Sequence, residues 1–208
     1  MLKTNFSTKS DYDTYIAEQK VNKEKGYLTA SERKQLQQMI DNPASYIVAP
    51  KEIKVAKPLI TNYKQLRIPC EPVTKDDNIA GIVQDLKDGL EVYGGLGISA
   101  NQIGIQKKIS YIKVPFVTPE KKIEMKEIIL INTEIIEKDK PIIFKGEGCT
   151  SFKNLRVNTK RYVFITATNY NEKLESSLLL SQDLEGICIQ HEIDHQNGVT
   201  IIERTNRK

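Results

Sequence analysis

Gln190-His191-Glu192-Ile193-Asp194-His195 contains both histidines of this 208-residue chain, four positions apart. On an α-helix, residues i and i+4 project from the same face one turn apart. Two imidazoles so placed can close on a single metal ion, with the intervening Glu near water at that ion, the H-E-x-x-H arrangement of hydrolytic metal sites. The flanks supply a helix to carry it. Leu184, Ile187, Cys188, His191 and His195 recur at three- and four-residue steps, the period of one helical face. Ser181 and Asp183 are candidate caps, and Gly198 stands where a helix C-terminal glycine is expected. Gly186 weakens the first turn without breaking it. The spacing predicts a helix over 183–197.

Two histidines leave such a site one protein ligand short of the usual three. The chain follows the longer pattern H-E-x-x-H-x-x-G-x-x-H as far as Gly198 and then has Ile201 in place of the last histidine. Only 13 residues follow His195, and Glu203 is the sole carboxylate among them, close to a chain end of the kind that frays. The third ligand is therefore expected upstream, as a Cys or a carboxylate. The three cysteines are Cys70, Cys149 and Cys188. An odd count without an apolar N-terminal signal segment points to a reducing compartment, where thiolates are free to bind metal. Cys149 lies in Gly146-Glu147-Gly148-Cys149-Thr150-Ser151, a small-residue turn between two strand-like runs. Cys188 could share the histidine face, but reads better as a small buried hydrophobe beside it. Cys70, between Pro69 and Glu71, reads as an inert thiol.

A third string, Gly94-Gly95-Leu96-Gly97-Ile98-Ser99-Ala100-Asn101-Gln102, follows a helix patterned by Ile79, Ile82, Val83, Leu86 and Leu90. Its glycines are either a helix stop and turn or a place where an extended ligand approaches the backbone, with Gln102 as an amide donor. As a phosphate loop it fails, because no Lys-Ser/Thr follows and it leaves a helix instead of opening one.

In order, these three strings resemble the signature motifs of peptide deformylases, G-x-G-x-A-A-x-Q, E-G-C-x-S and Q-H-E-x-D-H. The resemblance extends from about residue 58 to the C-terminus and includes Leu66-Arg67-Ile68-Pro69-Cys70-Glu71-Pro72-Val73 and Leu130-Ile131-Asn132. It implies that Cys149, His191 and His195 hold one divalent ion, natively ferrous iron, with zinc, nickel or cobalt as substitutes. It implies Glu192 as general base and acid, with Gln102 and the backbone N–H of Thr150 stabilising the developing oxyanion. The implied reaction removes the N-terminal formyl group from formyl-methionyl nascent chains as formate. The peptide would lie as an added strand along Leu96 and Gly97 and near Gly148, with the methionine side chain among Leu184, Ile187 and Cys188. Glu147 and Arg156 would form a supporting ion pair, and Asp194 would orient its surroundings.

The departures from the family pattern are Ser99 for an alanine, Thr150 for an aliphatic residue, Lys153 for a proline and Gln196 for a leucine. No ligand and no base is lost, so an active enzyme is expected. The polar substitutions also admit a relative that binds formyl peptides or nascent chains without turnover.

At 39% apolar residues the chain can bury a core without staples. No run approaches the roughly 20 apolar residues that span a membrane. The net charge of +4 is mild, and no aromatic-studded basic stripe suggests a nucleic-acid groove. The resemblance and this charge lead to a cytoplasmic monomer, bacterial or phage-encoded before organellar, in transient contact with ribosomes. Strand-like runs at 109–114, 128–132, 141–144, 163–170 and 176–180, with a turn at Asn171-Glu172-Lys173, precede the metal helix. The expected class is α+β, with antiparallel sheets packed around a central helix carrying the H-E-x-x-H motif. Residues 1–57 form an extension outside the resemblance, expected to dock on the catalytic domain, 58–208. Thr29-Ala30-Ser31-Glu32 is a capping box before a helix to about Asp41, and the polar residues before Gly26 suggest a loose or partner-bound helix.

Overall fold

In the computed structural model, which describes residues 2–3, 5–6, 8–26, 28–45 and 55–205, the chain divides into two units, Met1–Ile53 and Lys54–Lys208. The first is helical. Helix α1 (Lys9–Glu24) opens on Thr8, whose hydroxyl accepts the Asp11 N–H at 3.0 Å. Helix α2 (Ala30–Asp41) opens on the capping box: the Glu32 N–H donates to Thr29 Oγ1 at 3.3 Å, and the Thr29 N–H to Glu32 Oε2 at 3.0 Å. Phe6, Tyr12, Ile16, Leu28, Leu36 and Met39 bury in a core of their own. The polar segment before Gly26 is thus a regular helix, with Tyr12 and Ile16 on its buried face.

In the second unit, helix α3 (Tyr63–Leu66) is one short turn and α4 (Ile79–Tyr93) is the patterned helix. Ile79, Val83, Leu86 and Leu90 of α4 pack with Ile98, Ile109 and Ile131. Strands β1 (Gly97–Ser99), β2 (Ile109–Val117) and β3 (Ile123–Ile131) form one antiparallel sheet in that order, with a 3-10 turn at Ala100–Ile103 after β1. Strands β4 (Glu134–Gly148), β5 (Arg156–Tyr170) and β6 (Ser176–Gln182) form a second antiparallel sheet. Helix α5 (Asp183–Gln196) lies against both. Its Ile189 and Ile193 bury with Ile112, Val114, Ile128 and Leu130 of the first sheet and Ile165 of the second. Full burial of each such side chain is worth about 1.5–3 kcal/mol, so the apolar back of α5 anchors the helix and leaves its other face to polar groups. The architecture is α+β, with antiparallel sheets about the helix that carries both histidines.

Several local expectations change. Asn132 has φ +46 and ends β3 at Ile131 instead of continuing it. The caps of α5 also differ: Gln182 is the N-cap without a side-chain bond, and Ser181 Oγ donates to Glu185 Oε1 at 2.9 Å. Asp183 stands inside the first turn. Among the described residues no helix is long and apolar enough to cross a membrane.

Candidate metal centre and active site

The cysteine turn reaches the histidines because β4 and β5 slip out of register. Pairing runs to Phe144↔Thr159 and resumes at Glu147↔Val157, a β-bulge in which Gly146 adopts φ +72. Bulges of this kind bend a strand and re-aim the side chains that follow, and the left-handed backbone favours glycine. Here Glu147 is turned inward to 5% exposure and Cys149 is buried at the end of β4. Cys149 Sγ lies 3.2 Å from His195 Nε2. The ligand atoms of Cys149, His191 and His195 all lie within 4.8 Å of one another, a group that could hold a metal ion.

The two rings are oriented differently. His191 Nδ1 lies 2.6 Å from Glu147 Oε1, which leaves Nε2 for a ligand. Glu147 is held in turn by Arg161, through Nη2 at 2.5 Å and Nε at 2.9 Å, and by the Thr159 hydroxyl. Arg161 Nη1 donates to Asp194 Oδ2 at 2.6 Å, and Arg204 Nη2 donates to Asp194 Oδ1 at 2.6 Å. Alternating charges thus run from Arg204 through Asp194, Arg161 and Glu147 to His191. His195 Nδ1, by contrast, is buried with no hydrogen-bond partner among the described residues. Its backbone carbonyl accepts from Asn101 Nδ2 at 2.9 Å.

The electrostatics follow these partners. Burial alone would raise the Glu147 carboxyl, but hydrogen bonds from Arg161 and His191 outweigh it and hold the group well below the usual carboxylate range. Burial opposes protonation of both rings. For His191 the Cys149 and Glu147 contacts prevail and hold it well above the ordinary imidazole value. His195, buried and beside His191, is held well below it. One thiol and two imidazole nitrogens, gathered in a buried site, are a donor set that fits a divalent transition-metal ion.

Glu192 follows His191 directly on α5. Its Oε1 sits so close to the Gly97 Cα that a Cβ there would lie 2.5 Å away, so only glycine leaves room for it. Its Oε2 is buried without a hydrogen-bond partner among the described residues, and burial pushes the carboxyl up to about 7. Glu192 opens on a cavity of about 720 Å³ that it shares with Cys149 and His191. Leu96, Gly97, Gly148, Leu184, Ile187 and Cys188 line the same cavity. Thr150 also lines it, whereas Gln102 is buried at 1% exposure. Gln102 Oε1 accepts the Ser99 N–H at 2.9 Å, and its Nε2 donates to Thr150 Oγ1 at 3.1 Å.

One expected pairing is wrong. Glu147 pairs with Arg161, not with Arg156. Arg156 is the cross-strand partner of Gly148, and its guanidinium folds over that glycine to line the cavity. Arg161, Arg204 and Asn101 were absent from the expected site. A strand starting at 163 leaves out Arg161, which pairs with Ile142 across the sheet and reaches Glu147 through its side chain. Cys188 is half-buried, and burial pushes its thiol up to about 12. Cys70 is buried away from the site, its thiol pushed up to about 11. Glu203, the downstream carboxylate, accepts from the Thr200 N–H at 2.8 Å and pairs with Arg67 at 3.3 Å.

Residues 55–208 match the family model described as polypeptide deformylase. The peptide deformylase of Microchaete diplosiphon is 31% identical over 167 residues, covering 76% of this chain and 87% of the relative. Peptide deformylase 2 of Clostridium perfringens is 33% identical over 150 residues, covering 72% of this chain and 92% of the relative. The crystal structure of the Thermotoga maritima peptide deformylase superposes with a TM-score of 0.64 at 28% identity, covering 74% of this chain and 99% of that one. The three motifs, the antiparallel sheets about α5 and these matches together place the chain in the peptide deformylase family.

Proposed function

We propose that this protein removes the formyl group from formyl-methionyl peptides by hydrolysis, releasing formate and a free amine. The observation that carries the reading is the convergence of Cys149, His191 and His195 within 4.8 Å, with Glu192 beside them on the same cavity. A divalent ion held by those three side chains supplies Lewis-acid chemistry and lets water ionise near pH 7.

The chain's own groups do the rest. Glu192, buried on the cavity beside Cys149 and His191, is placed to take a proton from the attacking water and return it to the departing amine nitrogen. As the formyl carbon becomes tetrahedral, charge gathers on its oxygen. The Gln102 amide and the Thr150 backbone N–H supply the hydrogen bonding that stabilises that charge, and one such donor is worth about 3 kcal/mol. The peptide adds as a strand beside Leu96 and Gly97 and near Gly148, and its methionine side chain enters the part of the cavity formed by Leu184, Ile187 and Cys188. The native ion is ferrous iron, with zinc, nickel or cobalt as substitutes.

The enzyme is a monomer of the cytoplasm, bacterial or phage-encoded, in transient contact with ribosomes. Formate release from formyl-Met-Ala-Ser under anaerobic conditions tests the function. The metal-loaded protein is expected to release formate, and Glu192→Ala to lose it by about 10²- to 10⁴-fold. No formate from fully metallated protein would overturn the reading.

A further inference from the structure

Thr150 stands where the family pattern has an aliphatic residue, and its side chain has a defined orientation. A Cβ built on Gly95 would lie 3.2 Å from Thr150 Cγ2, so the methyl is turned toward that glycine. The hydroxyl is turned toward Gln102, whose Nε2 donates to Oγ1 at 3.1 Å. The Ser99 N–H on Gln102 Oε1 fixes which end of the amide is the donor. Nε2 has two hydrogens and faces three acceptors: Thr150 Oγ1, Ser151 Oγ at 3.0 Å and Cys149 Sγ at 3.4 Å.

Gln102 is therefore fully engaged within the protein and lies behind Thr150. A hydroxyl can accept and donate at once. Thr150 Oγ1 accepts from Gln102, and among the described residues no acceptor takes its proton. The residue lines the same cavity as Cys149 and Glu192. A hydroxyl that is already accepting is polarised into a stronger donor.

We propose that the Thr150 hydroxyl is itself an oxyanion donor, relaying the Gln102 amide to the oxygen that gains charge as the formyl carbon becomes tetrahedral. The inference rests on the deformylase reading and adds a group to it. An aliphatic side chain at this position would leave the Gln102 amide to face the substrate directly. In this chain the threonine intercepts that hydrogen bond and passes it on, so the hydroxyl becomes the catalytic contact.

Two variants separate the hydroxyl from the methyl while both keep the backbone N–H. Thr150→Val is nearly isosteric and lacks the hydroxyl; Thr150→Ser keeps the hydroxyl and lacks the methyl that packs toward Gly95. Formate release from formyl-Met-Ala-Ser is measured across substrate concentration with the zinc-loaded proteins. Thr150→Val is expected to lower kcat about tenfold with KM little changed, as loss of a donor used in the transition state should. Thr150→Ser should stay within about threefold of the parent. A second readout needs no turnover: the Gln102 side-chain amide protons in an NMR spectrum should shift in Thr150→Val and keep their positions in Thr150→Ser. Equal kcat for parent and Thr150→Val would overturn the inference alone. A loss in Thr150→Ser as large as in Thr150→Val would also overturn it, by assigning the effect to packing at Gly95. A parent that releases no formate would overturn the deformylase reading and this inference with it.

Discussion

His191 and His195 stand one turn apart on α5, their ring centroids 5.0 Å from each other, yet they are held by opposite means. His191 is gripped through its ring by Glu147, at the end of a buried chain of charges that reaches Arg204. His195 is gripped through its main chain, by the Asn101 amide on its carbonyl, and its ring Nδ1 has no hydrogen-bond partner among the described residues. Beside it, Gln196 Nε2 donates to Ser110 Oγ at 2.9 Å, and Ser110 Oγ donates to Ser99 Oγ at the same distance. One ligand is thus oriented by charge and the other by packing and neutral hydrogen bonds. Buried charges act strongly but fail badly when one partner is removed. Neutral buried pairs contribute about 1 kcal/mol each. The two sides of the site should therefore respond very differently to substitution.

The largest effect is expected at Glu147. Glu147→Ala leaves Arg161 and His191 without their shared carboxylate, at a cost of about 3–5 kcal/mol in stability and about 10- to 100-fold in metal affinity. Urea unfolding and competition with a chelator measure the two, and a change below 1 kcal/mol would break the comparison. The same group sets an acid limb. Its carboxyl lies well below its ordinary 4.5 in the folded protein, so its stabilisation is complete above that pH and is lost as pH falls toward the folded value. Between about pH 4.5 and 2, Glu147→Gln should show a shallower loss of stability than the parent; parallel curves would contradict the assignment.

On the neutral side the effects are smaller. Asn101→Ala removes the amide that holds the His195 carbonyl, an expected cost of about 1 kcal/mol with little change in metal affinity. A loss of affinity as large as that from Glu147→Ala would erase the contrast between the rings. The smallest effect is reserved for the double change Ser99→Ala with Ser110→Ala. Ser99→Ala alone leaves the buried Ser110 hydroxyl without its acceptor, whereas together they remove both partners of that hydrogen bond, so the double variant should cost less than the sum of the singles. A double-mutant cycle by urea unfolding checks this, and additivity would show that the two hydroxyls do not act together. Their contact also gives two departures from the family pattern one physical explanation, because Ser99 and Gln196 meet through Ser110.

How legible this site was in the sequence depends on which physical signal each part leaves. The 183–197 helix was readable because its histidines and apolar residues share a 3.6-residue period, and it appears as Asp183–Gln196. Strands were found only where apolar residues cluster. The run at 141–144 is the middle of β4, whose other positions include Glu134, Glu137, Lys138, Asp139 and Lys140 on a largely solvated strand. The start of β5, Arg156-Val157-Asn158-Thr159-Lys160-Arg161, carries almost no hydrophobic signal. Register across a bulge is set by tertiary pairing, not by local pattern. The pairing of Glu147 with Arg156 came from the family resemblance, and nothing in the local pattern points instead to Arg161. Likewise β1, three residues long and opening on Gly97, reads in the sequence as a glycine turn or a backbone open to an extended ligand, not as a strand of the sheet.

The identity of the ligands is the point on which all of this turns, and X-ray absorption of the zinc-loaded protein reads it directly. The expected result is one ion per chain with one sulfur and two imidazole nitrogens in its first shell, the sulfur lost in Cys149→Ala together with most of the affinity. A shell without sulfur, or unchanged affinity in Cys149→Ala, would contradict the assignment of Cys149, His191 and His195 as the metal site.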